Sequence, residues 1–198
     1  MCIRDSSTQF AGGRCPPFHR AGAAGVSGGP RYHAAMPLVS LGSLPDDARV
    51  WVFAAERVLA PAEADAVLGT VDAFLGVWAA HGRPLRSARD LRDSRFLIIA
   101  VDEASAGASG CSIDALVREI RALEGQLGVT LVDHGPIVFR DGGTIRRVPR
   151  DEFAELARDG RVTPQTVVFD NTISRLAALR GGSWELPASA SWHGRAFF

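Results

Sequence analysis

Hydrophobic positions along this chain change period several times, and each change predicts an element. Residues 48–53, Ala-Arg-Val-Trp-Val-Phe, alternate aliphatic with bulkier side chains and are rich in β-branched and aromatic residues, which predicts a first strand. Pro61 opens a helix whose apolar side is Val67, Leu68, Val71, Phe74, Leu75 and Trp78, stopping at His81-Gly82. Residues 95–101 predict a second strand, apolar at consecutive positions from Phe96 on, the pattern of a strand covered on both faces. A glycine-bearing turn follows. Ser112 is then the expected N-cap of a second helix with the stripe Ile113, Leu116, Val117, Ile120, Leu123 and Leu127, ended by Gly128. Residues 136–140 and 144–148 flank Asp141-Gly-Gly143, a β-hairpin signal. Pro149 starts a third helix with Phe153, Leu156 and Ala157 inward, ending at Gly160; residues 166–169 form a strand and residues 172–179 a short helix closed by Gly181-Gly182.

The order β-α-β-α-β-β-α-β-α predicts an α+β domain, a mixed sheet with helices packed on it, over residues 36–198. The tail from residue 183 holds Trp184, Trp192, Phe197 and Phe198, more aromatic area than water tolerates, and should pack back on the domain. Residues 1–35 show no sustained period and abundant Gly, Ala, Ser and Pro, so disorder is expected there. Their opening Met-Cys-Ile-Arg-Asp-Ser resembles the translation of a transposon end used in sequencing libraries, which would make Met36 the genuine start. A transit peptide is the competing reading of that Arg-bearing, acid-poor tract.

Composition narrows the chemistry. All 22 basic residues are arginine, so a Walker-type phosphate loop and any mechanism through a lysine amine are excluded for the chain acting alone. The net charge is zero, and without the four arginines and one aspartate of residues 1–35 the remainder carries −3, which argues against nucleic acid as a partner. The three cysteines have neither disulfide-framework nor metal-ligand spacing, and no apolar run is long enough for a bilayer span; a reducing, cytoplasmic setting without a membrane partner is expected.

Chemistry concentrates in the turn Gly-Ala-Ser-Gly-Cys-Ser-Ile-Asp, residues 107–114. A strand passing through glycines into a helix N-terminus presents backbone N–H groups and the positive end of the helix dipole, which favour an anion and stabilise a thiolate. Cys111 is therefore the candidate nucleophile. Ser109, Gly110, Ser112 and Asp114 are the candidate ligand-binding residues, with a small anionic ligand expected. His193 is the preferred base, with His81 and His134 as alternatives. The bland reading is a tight turn with a small buried cysteine. A Mg²⁺ site from Asp102, Glu103, Asp114 and Asp170 is conceivable, but Asp114 also suits a helix start and Asp102-Glu103 a strand exit; no metal and no cofactor are expected. Arg83, Arg86, Arg89, Arg92 and Arg95 recur every third residue, with Asp90 and Asp93 among them, and are expected to form a solvated, internally paired connection.

The same turn, with Trp78-Ala-Ala-His-Gly82, the run at residues 95–103, Val168-Phe-Asp-Asn171 and Ser191-Trp-His193, resembles a small bacterial family, common in Bacteroidetes, over roughly residues 48–198. That family often carries the name "ABC transporter ATPase". The name implies a Walker A motif and a signature helix, and this chain has neither the lysine nor the glycine spacing for the first. Two expectations follow: an anion or small-ligand site at residues 107–114, with or without thiol chemistry, or a non-enzymatic module that binds a protein partner.

Overall fold

In the computed structural model, residues 38–104 and 107–198 are described, all within one compact unit; the expectations for residues 1–35 fall outside them. The elements are β1 (Arg49–Ala54), α1 (Pro61–Leu75), β2 (Ala79–Ala80), β3 (Arg83–Pro84), β4 (Ser87–Arg92), β5 (Phe96–Val101), α2 (Gly110–Leu127), β6 (Ile137–Asp141), β7 (Thr144–Val148), α3 (Arg150–Arg158), β8 (Val167–Phe169), α4 (Leu176–Arg180), β9 (Glu185–Pro187) and α5 (Trp192–Phe197).

Strand alternation decides the layering. The first sheet has the order β1-β5-β4 and is antiparallel throughout, with Trp51 opposite Ile99 and Phe53 opposite Leu97. Phe53, Leu97, Ile99 and Val101 pack with Val67, Val71 and Leu75 of α1 and Leu116, Ile120 and Leu123 of α2. The alternate positions, Val50, Val52, Phe96, Ile98 and Ala100, meet Val138 and Phe169 of a second antiparallel sheet, β7-β6-β8-β9, together with Leu176, Leu179 and Trp184. The far side of that sheet, Ile137, Phe139, Val148 and Val168, packs on Phe153 and Leu156 of α3 and on Trp192 and Phe197 of the tail. The result is four layers: helices, sheet, sheet, helices. β5 is buried at all six positions because it is the central strand between two such layers.

The α+β class holds, and the sheet expected as one is divided into antiparallel sheets. Two local differences have physical reasons. α1 ends at Leu75, capped by Gly76, and His81-Gly82 is a two-residue turn joining β2 to β3, both residues having positive φ (51° and 74°), instead of a helix stop. The arginine-rich connection is largely strand β4, an edge whose charged residues are half-buried on alternate faces, Arg92 lying over the Trp184 ring at 5.3 Å. Arg89 pairs with Asp72 of α1 and Arg86 with Asp102, while only Arg92 pairs locally, with Asp90. Its turn into β5 uses Asp93 and Ser94, both at positive φ. The aromatic tail lies against the domain, with Phe197 edge-on to Phe153 at 5.0 Å and Trp184 edge-on to Phe96 at 5.0 Å.

Arg95 sits where the two sheets meet. It is buried, at 4% exposure, and its guanidinium donates to the carbonyls of Ala55 (3.0 Å), Glu56 (2.7 Å) and Ile145 (2.6 Å). The first two follow β1 and the third lies in β7, so one side chain ties both sheets together. Burial, aided by the nearby charge of Arg147, pushes its pKa down.

Among the described residues no helix is long and apolar enough to cross a membrane.

Candidate functional site

The turn at residues 107–114 leads from β5 into α2, the longest helix of the fold. Ser109, not Ser112, is the N-cap: its backbone is extended and its Oγ accepts the N–H of Ser112 at 3.3 Å. Ser112 is buried. Its Oγ donates back to the Ser109 carbonyl at 2.9 Å, and its own carbonyl accepts the indole N–H of Trp78 at 2.9 Å. Ser112 thus fastens the helix start to the segment after α1 and offers no surface to a ligand. Gly110 opens the helix and Cys111 is its second residue; both are exposed. Cys111 is therefore not the small buried cysteine of the bland reading.

Neither Gly107 nor Gly110 has a positive φ, and a Cβ added at either meets open space. The glycines are thus not required by backbone strain or close packing at this turn. Asp114 is exposed and lies beyond the first turn, which contains no acidic residue, so the positive end of the helix is not neutralised by its own side chains.

His193 lies elsewhere. It is the second residue of α5, 1% exposed, stacked on Trp192 at 3.9 Å with Nδ1 2.8 Å from Ser191 Oγ. Ser191 Oγ also lies 3.0 Å from the Ala188 carbonyl and accepts the His193 backbone N–H at 3.2 Å. A hydroxyl has one proton, so both contacts are satisfied together only if Ser191 donates to Ala188 while Nδ1–H donates to Ser191. Burial pushes the imidazole pKa down to about 4, with Asp170 opposing and Arg150 reinforcing the shift. The charges that act on His193 belong to the layer of the second sheet, whereas Cys111 starts a helix packed on the first. The fold gives these two residues separate neighbourhoods. The two alternative bases, His81 in the β2–β3 turn and His134, tilted against Phe53 at 6.4 Å, are exposed.

Of the carboxylates considered for a metal, Asp102 pairs with Arg86, Glu103 with Arg49 and Arg175, and Asp170 accepts from Thr172. Among the described residues, no three His, Cys, Asp or Glu side chains gather to hold an ion. One feature had no signal in the sequence: a shallow cavity of about 200 Å³ lined by Arg49, Glu103, Ser174 and Arg175. Its residues come from three distant segments, and only the pairing of residue 175 with the free edge of β1 assembles them.

Compared with protein-family models, with curated proteins and with solved structures, the chain matches none.

Proposed function

We propose that residues 107–114 form a recognition site for a small anion in which Cys111 Sγ is the reactive atom. The observation that carries this reading is the position of Cys111, exposed, second in an 18-residue helix whose first turn has no acidic side chain. The uncompensated dipole favours negative charge there, whether a bound anion or the thiolate itself. Ser109 fixes the helix start and Ser112 anchors it to Trp78, so the thiol is carried on a rigid element. His193, buried and hydrogen-bonded to Ser191, has no part in this reading; the proton of Cys111 passes to solvent.

A protein-interaction role is less well supported. The edge strand β7 carries Arg146 and Arg147, charges that discourage strand addition. The exposed large apolar residues, Val58, Val77 and Phe198, come from separate segments.

The test is the pH dependence of Cys111 alkylation by iodoacetamide in the full chain carrying Cys2→Ser and Cys15→Ser. A midpoint below the value of about 8.5 for an ordinary thiol is expected. A midpoint at or above it would overturn the reading.

A further inference from the structure

Arg49 and Arg175 stand directly opposite each other in an antiparallel bridge, so their side chains leave the same face side by side. Like charges in that position destabilise a pair of strands. Among the described residues, Glu103 is the carboxylate paired with both: one of its oxygens is 3.6 Å from Arg49 Nη1 and the other 3.8 Å from Arg175 Nη1. Both separations are ion pairs longer than hydrogen bonds. The guanidinium groups are nevertheless held. Arg49 lies over the Trp51 ring at 4.8 Å, and Arg175 donates to the Asp47 carbonyl at 2.7 Å. Ser174 completes the lining of the cavity they border.

Two fixed cations facing one loosely placed monoanion leave a positive charge over. We propose that this cavity is a seat for a phosphate or phosphomonoester, which displaces the Glu103 carboxylate and takes bidentate hydrogen bonds from Arg49 and Arg175. A dianion balances both guanidinium groups, and their planar forks match its oxygens. Glu103 is then an internal competitor that sets the affinity. The seat uses no atom of Cys111 and stands apart from the reading given for that residue.

Calorimetric titration of the full chain at constant ionic strength tests this, with inorganic phosphate, phenyl phosphate and acetate as probes. Phosphate is expected to bind, acetate much more weakly. Glu103→Gln should tighten phosphate by about fivefold, the reach of one exposed ion pair. Arg175→Ala should abolish binding and Arg175→Lys weaken it. Tighter binding of phenyl phosphate than of inorganic phosphate assigns the seat to an ester, and the reverse to the free anion. The proposal is overturned if acetate matches phosphate, if Arg175→Ala binds as the parent does, or if Glu103→Gln leaves affinity unchanged. The last arm decides alone should Arg175→Ala fail to fold.

Discussion

Two helices of this protein begin with the same local grammar and end in opposite circumstances. Ser109-Gly110-Cys111 starts α2 and Ser191-Trp192-His193 starts α5; in each the serine is the N-cap and the ionisable residue is the second of the helix. Cys111 is exposed, whereas His193 is sealed at 1% exposure beneath its own cap. The difference lies in the residue between. Gly110 covers nothing, while Trp192 stacks on the imidazole and packs with Phe197 against the outer face of the second sheet. Local pattern fixes where a helix starts; the neighbouring side chain and the layer beneath decide whether the group can meet solvent.

Acid separates the two helix starts most. The pKa of His193 is about 4 in the folded chain, below its ordinary value of 6.5, so folding disfavours the charged form. Between these values the unfolded chain binds a proton that the folded chain refuses. Stability is therefore complete above pH 6.5, falls as pH drops toward 4, and levels off below for this group. The ceiling is about 3 kcal/mol, seen as loss in urea melts relative to a His193→Leu variant, which should lack that step. Equal pH profiles would show that the imidazole is not sealed.

A smaller effect is expected at the backbone of α5. A Cβ on Gly194 would stand 2.7 Å from the Ala188 carbonyl oxygen and 2.9 Å from Ser189 Cα, so Gly194→Ala must lift the helix off the 3-10 turn that precedes it. A loss of about 2 kcal/mol is expected by denaturant titration. Gly110→Ala, at the other helix, meets open space and should be nearly neutral, which sharpens the contrast.

At the α2 start, Ser109→Ala should cost about 1 kcal/mol by removing the acceptor for Ser112 N–H, and Cys111→Ser less than about 0.5 kcal/mol because the side chain is exposed. A Cys111→Ser loss as large as the cap loss would mean that the thiol is structural.

The elements with the strongest periods were legible: β1, the fully buried β5, the α2 stripe ending at Gly128, the β6–β7 hairpin, and α3 with Phe153 and Leu156 inward. β4 was not, because an edge strand bearing Arg89, Asp90 and Arg92 is compositionally a loop; only pairing with β5 makes it a strand. Its turn through Asp93 and Ser94 lacks the glycine that normally marks left-handed backbone. The sequence pattern predicts the cap three residues late because Ser112 is also a good capping residue, and its burial against Trp78 is a tertiary fact. Arg49, Glu103 and Arg175 could not be linked in advance, since nothing in a sequence reports which segment will cover a sheet edge.

A guanidinium keeps its proton throughout the range in which proteins are folded, even when burial lowers its pKa. The tie from Arg95 to Ala55, Glu56 and Ile145 therefore has no chemical release: it is a rivet, where His193 is a latch. Acid can loosen the outer helix at the C-terminus, yet the seam between the sheets keeps its grip, so early acid unfolding should begin at the periphery and leave the two-sheet body closed.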